Sequence, residues 1–353
     1  MTLTSLYDER WDPMSEATAP VESERPSQMK GMDTGVLQMF AGSRIGRRCM
    51  NEYVFQLRRI WNHLPVAFRL RSPGLLYGRY LHGVVRFYGE RRQSFGTFFL
   101  RNRAEIQLMC HLLKDKDPGS SIKISILACS KGAEVYSIVW ALRSARPDLT
   151  LEMSAVDISD EILEFAKRGV YSRKGLDALR SKIVASKENV AWNTCRDQNA
   201  PIFERITDSE LQTICDLEDD QCKVKPWLKE GIRWLCGDAT NPDLVAILGC
   251  QDIVVANRFL CHMEPAAAES CLLKIARLVK PGGYLFISGI DLDVRTKVAK
   301  HMNWKPVTDL IREVHDGDIS LRKGWPLEYW GLEPIRSNSH DWEIRYASAF
   351  QIG

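Results

Sequence analysis

The chain lacks the features of a metal-bound, disulfide-linked or membrane-spanning protein. Its ten cysteines include no CxxC pair and no Cys/His cluster with zinc spacing, so we expect neither a metal site nor a disulfide framework. No apolar run approaches the length of a membrane helix, and the first residues lack the basic start and apolar core of a signal peptide. A protein without a membrane partner, cytoplasmic by default, is therefore expected.

Lysine is missing from one long segment. Residues 36–111 contain thirteen arginines, no lysine and only three acids, although the net charge of the 353-residue chain is just +3. Interleaved apolar residues predict a small helical, basic subdomain over residues 36–118, preceded by a disordered tail over residues 1–35. Nucleic-acid binding is one interpretation of such a face. We prefer a structural role, in which the arginines cover the helices or pair with acids elsewhere in the chain. Contact with an anionic substrate ranks second, and we expect no nucleic-acid partner.

Residues 123–157 read as strand, tight turn, helix and strand, closed by an acid. Ile124 to Ala128 form a short apolar run, and Val135, Ile138, Val139 and Leu142 then recur at helical spacing. This order is the nucleotide-binding half of a doubly wound α/β domain. Asp157 ends the second strand, where a carboxylate can accept hydrogen bonds from both ribose hydroxyls.

The turn of this unit disfavours a phosphate. A dinucleotide site needs several glycines, whereas this turn has Gly132 alone, followed by Ala133 and the acidic Glu134. S-adenosylmethionine has no phosphate and carries an α-ammonium and a sulfonium, so one glycine and one carboxylate suit it better. The alternative is that Glu134 is a first-turn acid favoured by the helix dipole, and that Asp157 merely precedes a helix N-cap.

The remaining chain extends the α/β domain over residues 119–353. Ser159 is a plausible N-cap for the next helix, and residues 172–230 look like a polar insertion with one helix. A strand then ends near Asp238, which either accepts from the adenine amine or forms a turn. A further strand runs into Asn257 and Arg258, a helix begins near Pro265, and alternation over residues 342–352 predicts a closing strand.

Several segments in this order resemble a known family. They are FFLRNRAEIQLM, LACSKGAEVYSIVWAL, AVDISDEILEFAKRGVYS, GDAT, VVANRFLCHM and LVKPGGYLFIS. The chain resembles the CheR-type methyltransferases, class I S-adenosylmethionine enzymes best known for methylating chemoreceptor glutamates. The likeness runs from about residue 36 to residue 288. It implies a doubly wound, Rossmann-like sheet with a small helical N-terminal subdomain.

The resemblance also implies roles for individual residues. Ser130, Gly132 and Glu134 would surround the methionine part of the cofactor, Asp157 would hold the ribose and Asp238 the adenine. Asn257 or Arg258 would line the reacting end, and Arg101, after the paired phenylalanines, matches the family's cofactor- or substrate-facing arginine.

The acceptor end departs from the family. The family usually reads Arg-Asn-Val-x-Ile-Tyr-Phe after the fourth strand, whereas here Asn257 precedes Arg258 and His262 replaces the tyrosine. His262 is a candidate base for an amine or hydroxyl acceptor, or a structural histidine. Arg258 is a candidate to orient an acceptor carboxylate, or a structural partner of an acid.

Three functions follow from these departures. We expect foremost a methyltransferase acting on a small molecule or short peptide, as in a biosynthetic tailoring step, because the cofactor residues are kept and the acceptor residues altered. The first alternative is a protein-glutamate carboxyl methyltransferase of the chemotaxis type, with a protein substrate. The second is a non-catalytic module that binds the cofactor.

Overall fold

A computed structural model describes residues 44–89, 91, 95–173 and 202–353. The tail predicted over residues 1–35 lies outside the described residues, as do residues 174–201 of the predicted insertion. The chain divides into two units, residues 1–51 and residues 52–353. The described part of the first unit, residues 44–51, is helical, and the second unit contains the sheets. The subdomain boundary expected near residue 118 stays a prediction.

The described helices, in chain order, are α1 (Arg44–His63), α2 (Val66–Arg69), α3 (Ser72–Tyr88), α4 (Arg103–Leu112), α5 (Ala133–Ala145), α6 (Asp160–Arg168), α7 (Asp208–Ile214), α8 (Pro226–Lys229), α9 (Leu244–Leu248), α10 (Pro265–Ala276), α11 (Leu292–His301), α12 (Ile311–Gly317), α13 (Ile319–Gly324) and α14 (Trp342–Tyr346). The strands are β1 (Ser121–Leu127), β2 (Thr150–Asp157), β3 (Val170–Ser172), β4 (Cys215–Glu218), β5 (Gln221–Val224), β6 (Ile232–Cys236), β7 (Gln251–Asn257), β8 (Val279–Ser288), β9 (Lys305–Pro306) and β10 (Ala349–Gln351). None of the described helices is both long and apolar enough to cross a membrane.

The main sheet has seven strands in the order β6-β2-β1-β7-β8-β10-β9. Its first five strands are parallel, and β10 runs antiparallel between β8 and β9. The chain leaves β1 towards β2 on one side and later returns to β7 on the other. The order therefore reverses between β1 and β7, which is where an open α/β sheet forms its ligand crevice. The doubly wound α/β fold that the sequence predicted is confirmed.

Side chains from both faces of the sheet are buried. Every residue of β7 is buried. Its consecutive residues Ile253 and Val254 belong to two different apolar clusters, one on each face of the sheet. Strands covered on both sides read as continuous apolar runs rather than as an alternating pattern, and the run from Ile253 to Ala256 in β7 fits this arrangement. Because the five strands are parallel, their carboxyl ends all lie at the same edge of the sheet.

The described part of the insertion is more regular than its polar sequence indicated. β4 and β5 form an antiparallel hairpin, and β3 pairs with β5 to complete a second sheet of three strands. The predicted helix is present as α7, which starts in a capping box between Thr207 and Glu210. Asp219, in the turn of this hairpin, has a positive φ of 36°. Aspartate tolerates this conformation, so the turn has no glycine to mark it in the sequence.

The closing strand is shorter than predicted. Residues 342–346 form the helix α14, and only Ala349–Gln351 are extended, as β10. The alternating pattern also fits a single helical turn, and Arg345 fixes that turn through ion pairs to Glu333 at 2.8 Å and Asp293 at 2.9 Å. A short pattern of this kind does not separate helix from strand.

Two arginines of the basic segment pair with an acid far along the chain. Arg86 and Arg91 lie 3.0 Å and 3.1 Å from the carboxylate of Asp291, whose side chain is 4% exposed. At these positions the preferred interpretation, pairing with acids elsewhere, is confirmed. The ion pairs join α3 and the segment that follows it to the loop after β8.

Candidate active site

The turn after β1 is held in an unusual conformation by Asp157. Ser130 has a positive φ of 52°, and its backbone N–H donates a hydrogen bond of 2.8 Å to Asp157 Oδ2. The other oxygen, Oδ1, accepts from the backbone N–H of Ser159 at 3.2 Å, while the Ser130 hydroxyl donates to the Phe95 carbonyl. Asp157 is 4% exposed and thus ties together the carboxyl ends of β1 and β2. Its predicted role at the ribose stays a prediction.

Gly132 closes the same turn where a side chain would not fit. Its φ is +83°, and an added Cβ would lie 3.0 Å from the Cβ of Ala166. Glycine adopts this conformation without strain, and because it has no side chain the backbone can pass close to α6 before it enters α5. The following Glu134 is thereby placed at the first turn of α5, on the crevice between β1 and β7.

Asp238 lies one strand farther along the edge. It follows β6, whose end is joined to β2 by a 2.9 Å hydrogen bond from the Gly237 N–H to the Asp157 carbonyl. The Asp238 side chain is exposed and accepts from the Thr240 N–H at 2.7 Å. It therefore forms a turn of the kind the sequence offered as the alternative, and adenine recognition by Asp238 stays a prediction.

Asn257 bridges two buried acids at the end of β7. Its side-chain Nδ2 donates to Glu105 at 2.6 Å and to Glu134 at 3.0 Å. Glu105 is 2% exposed, on α4, and Glu134 is 8% exposed, on α5. Burial first, and the neighbouring Glu134 second, raise the pKa of Glu105 to about 8, against the hydrogen bond from Asn257.

Two arginines lie within ion-pair distance of one carboxylate near these acids, and the charge of a third acts on it. Asp318, the N-cap of α13, lies 3.1 Å from Arg205 and 3.8 Å from Arg258. Burial alone would raise the pKa of Asp318, but the guanidinium groups of Arg258, Arg205 and Arg101 outweigh it and lower that pKa to about 2. Asp318 is therefore ionised at neutral pH and neutralises one of three cations.

An aromatic ring orders two of these arginines. The guanidinium carbon of Arg205 lies 4.4 Å from the ring centre of Phe98, and that of Arg101 lies 5.7 Å from it. Arg205 also donates to the Arg101 carbonyl at 2.7 Å. Arg101, predicted from the sequence, is 6% exposed, while the side chain of Arg258 keeps 20% of its surface accessible. Arg258 is thus the most accessible of the three to an incoming acceptor.

His262 stands at the side of this cluster. It ends a short 3-10 turn, and its Nδ1 shares a hydrogen bond of 2.7 Å with the hydroxyl of Tyr329. Burial, followed by Arg258 and Arg91, lowers the pKa of His262 to about 4. The ring is therefore neutral at physiological pH, and its role as a base stays a prediction.

The two halves of the site have opposite charge. Glu105 and Glu134 make one end acidic, and Arg101, Arg205 and Arg258 make the other end basic. Buried polar atoms usually have partners, yet within the described residues Glu105 Oε2, Asn257 Oδ1, Arg101 Nε, Arg205 Nε, Arg258 Nη1 and Asp318 Oδ2 have no hydrogen-bond partner. Unsatisfied acceptors at the acidic end fit the ammonium of S-adenosylmethionine, and unsatisfied donors at the basic end fit an anion.

Sequence reasoning missed Glu105, Arg205 and Asp318. Glu105 could have been found from the sequence, because it shares the buried face of α4 with Leu108 and Met109, three and four residues later. An acid on the apolar face of a helix is rarely buried without a partner, so it indicates a functional or structural contact. Arg205 lies in the insertion, and Asp318 resembles a turn residue in sequence. No local pattern marks either one.

Two family models match parts of the chain. A model described as "CheR methyltransferase, SAM binding domain" matches residues 96–191, and one described as "Methyltransferase domain" matches residues 207–287. The chain therefore contains regions similar to S-adenosylmethionine-binding methyltransferase domains, on the doubly wound sheet described above. Over residues 96–191 the chain is similar to the CheR-type methyltransferases, which is the resemblance that its sequence motifs indicated.

Curated relatives are similar over part of their length. The chain is 26% identical to the "Probable biofilm formation methyltransferase WspC" of Pseudomonas aeruginosa, over 64% of this chain and 48% of that protein. It is 24% identical to "Chemotaxis protein methyltransferase 2" of Vibrio cholerae, over 54% of this chain and 60% of that protein. The chain therefore spans about half the length of these relatives.

A solved structure, magnesium protoporphyrin IX methyltransferase from Synechocystis PCC 6803 with bound SAM, is 11% identical. The match covers 66% of this chain and 86% of that one, with a TM-score of 0.31. At that score and identity the match says nothing about the activity of this chain.

Proposed function

We propose that the protein transfers a methyl group from S-adenosylmethionine to a carboxylate, namely a glutamate side chain of a protein or peptide. The observation that supports this acceptor is a cluster of cations around Asp318: Arg205 and Arg258 lie within ion-pair distance of its carboxylate, and the charge of Arg101 also lowers the pKa of Asp318. Three guanidinium groups against one carboxylate leave an excess of positive charge in a largely buried site. A second carboxylate, brought by the substrate, would neutralise part of it.

Arg258 is the residue we assign to acceptor binding. Its Nη1 atom is buried without a hydrogen-bond partner among the described residues, although Asp318 lies within ion-pair distance. A guanidinium group matches a carboxylate through two parallel hydrogen bonds, which also fixes the direction of the carboxylate oxygens. Orientation of this kind is the main contribution a protein makes to a displacement reaction.

The cofactor supplies an already activated methyl group when bound, so the chain has to align the acceptor and exclude water. A carboxylate acceptor is ionised at neutral pH and needs no base. The low pKa of His262, about 4, makes its imidazole a weak base that is poorly matched to removing a proton from an acceptor at neutral pH. In this proposal Asp157, Glu134 and Asn257 hold the cofactor, while Arg258 holds the acceptor.

The names of the relatives favour a protein acceptor over a biosynthetic one. They describe methyltransferases of chemotaxis and of biofilm formation. A small carboxylic acid is the second candidate, favoured by Tyr329, which is 7% exposed and covers His262 next to the turn of Arg258. An aromatic wall at this place suits a compact acceptor.

The test is transfer of a tritiated methyl group to two panels, glutamate-rich peptides and small carboxylic acids. A methyl ester releases volatile methanol in base, whereas N-methyl and ether products keep the label. We expect base-labile label on peptides, and label on the small acids alone would favour the second candidate. Base-stable label in both panels would contradict a carboxylate acceptor.

The variant Arg258→Met tests whether Arg258 binds the acceptor. Loss of a charge-assisted, two-point contact predicts a fall in kcat/KM of about 100-fold, with the affinity for S-adenosylhomocysteine unchanged. Arg277→Met, at an exposed arginine on the C-cap of α10, is the matched control and should leave both quantities unchanged. Equal activity of the two variants would remove Arg258 from the acceptor site.

A further inference from the structure

We propose that Glu105 is a second cofactor-binding carboxylate, which acts with Glu134 to hold the α-ammonium group of S-adenosylmethionine. The inference rests on the cofactor part of the proposed function, and it is independent of which acceptor receives the methyl group. Family likeness points to Glu134 for this role, whereas Glu105 enters only through the geometry of the folded chain.

The two carboxylates meet although their helices are far apart in sequence. Glu105 is the third residue of α4, and Glu134 is the second residue of α5. Both accept from Nδ2 of Asn257, at 2.6 Å and 3.0 Å. One amide nitrogen thus fixes two acids at the carboxyl end of β7, on the crevice where the sheet order reverses.

The arrangement is incomplete as a purely structural one. A buried acid is normally paired with a cation or fully hydrogen-bonded. Among the described residues no arginine, lysine or histidine lies within ion-pair distance of Glu105 or Glu134, and both Glu105 Oε2 and Asn257 Oδ1 are buried without a hydrogen-bond partner. Two free acceptors beside two acids form a site for a group that has several N–H donors and a positive charge.

The α-ammonium of the cofactor has these properties. It carries three donors and one charge, so it can bond to both carboxylates and to Asn257 Oδ1 at once. An anion or a neutral group would leave the acids unsatisfied. The pair therefore selects for the cationic amino-acid end of the cofactor rather than for its nucleoside.

Protonation of one acid explains how the two carboxyl groups can lie close together. The pKa of Glu105, about 8, keeps this acid largely protonated near neutral pH, because burial and Glu134 both oppose its ionisation. Asp318 adds to this effect, and Asn257 and Arg101 act against it. A bound ammonium lowers the pKa again, so binding of the cofactor should release a proton from Glu105.

Isothermal titration separates this role from a general loss of structure. S-adenosylhomocysteine carries the ammonium, whereas 5′-methylthioadenosine keeps the nucleoside and lacks the amino-acid part. We expect Glu105→Gln to weaken binding of S-adenosylhomocysteine by about tenfold or more and to leave binding of 5′-methylthioadenosine unchanged. Glu134→Gln should behave in the same way, and Glu313→Gln, at an exposed acid on α12, should affect neither ligand.

Proton release is the second measurement. Titrations near neutral pH in buffers of different ionisation enthalpy should show that the wild type releases up to about one proton on binding S-adenosylhomocysteine. Glu105→Gln, which keeps the acceptor for Asn257 but cannot ionise, should release none. Thermal unfolding of each variant shows whether the fold is retained.

Each contrary outcome has one meaning. Unchanged affinity for S-adenosylhomocysteine in Glu105→Gln overturns the proposal, and so does an equal loss of both ligands, which makes Glu105 a structural residue. A wild type that binds neither ligand overturns both this proposal and the cofactor part of the proposed function. If the titrations follow expectation while no carboxylate is methylated, only the acceptor assignment is wrong.

Discussion

Gly289 lies directly against Arg258. A Cβ added to Gly289 would come within 2.9 Å of both the Cα and the Cδ of Arg258, and the two residues have positive φ angles of 60° and 67°. The Arg258 N–H donates to the Ser288 carbonyl at 2.8 Å, which joins the turn after β7 to the end of β8. The absence of a side chain at Gly289 therefore sets the position from which the Arg258 guanidinium reaches Asp318.

We predict that Gly289→Ala reduces methyl transfer by more than about tenfold. The alanine must adopt a left-handed conformation, which costs about 1–2 kcal/mol, and its Cβ must also displace the Arg258 backbone. Activity and the free energy of unfolding in urea are the measurements.

Gly282→Ala is the matched control for that prediction. Gly282 has a φ of +77°, and an added Cβ would meet nothing within 4 Å. Gly282→Ala should therefore show the conformational cost in stability without the loss of activity. Equal activity of the two variants would mean that Gly289 does not position Arg258.

Asp318 should make the fold sensitive to acid. Its pKa falls from the ordinary 3.8 to about 2 in the folded chain. A lowered carboxyl pKa stabilises the fold above the unfolded value of 3.8, and this contribution, about 2 kcal/mol, is lost as the pH falls from 4 towards 2. Asp318→Asn should lack this part of the pH dependence.

Urea unfolding between neutral pH and pH 2 checks the effect of Asp318. At neutral pH Asp318→Asn should be less stable by about 3 kcal/mol or more, since Arg205 and Arg258 stay buried without their counter-ion. Asp316→Asn, at an exposed acid two residues away, should match the wild type. A wild-type pH dependence in Asp318→Asn would show that other carboxylates govern acid unfolding.

The parts of the fold that rest on local periodicity could be predicted from sequence. The helix after Asp157 begins where Ser159 indicated an N-cap, with the Ile162 N–H donating to the serine hydroxyl at 3.4 Å. The helix α10 begins at Pro265, the first-turn position that proline favours. These features depend on residues three or four apart, so the sequence contains the whole interaction.

The basic half of the site could not be predicted in the same way. Arg205 and Arg258 meet Asp318 across 113 and 60 residues, and the His262–Tyr329 contact spans 67. These pairs depend on how the chain after β8 folds back over the strand ends, and no local pattern records that path. Glu105 is intermediate, because its position on a buried helix face is visible in sequence and its partner is not.

Asp157 provides a prediction that complements Glu105→Gln. Asp157→Asn keeps one acceptor for the Ser130 and Ser159 amides but replaces the other by a donor, which disturbs the turn. Binding of both S-adenosylhomocysteine and 5′-methylthioadenosine should weaken by about tenfold or more, since both ligands contain the ribose. Calorimetric titration measures this loss.

Glu152→Gln is the control on the same strand. Glu152 is at the opposite end of β2, is 53% exposed and lies 4.0 Å from Lys123. It should leave both affinities unchanged. Selective loss of S-adenosylhomocysteine alone in Asp157→Asn would place Asp157 at the amino-acid end of the cofactor rather than at the ribose.

Substitution of His262 tests whether the reaction needs a general base. With a pKa of about 4 the imidazole is neutral across the physiological range, and its Nδ1 is engaged by the Tyr329 hydroxyl at 2.7 Å. For a carboxylate acceptor we predict that His262→Gln keeps kcat within about threefold of the wild type, because no proton has to be removed. Tyr329→Phe, which removes only the hydroxyl, should behave similarly, and kcat should show no acidic limb between pH 6 and 8. A loss of about 100-fold or more in His262→Gln would instead identify a general base, and with it an amine or hydroxyl acceptor.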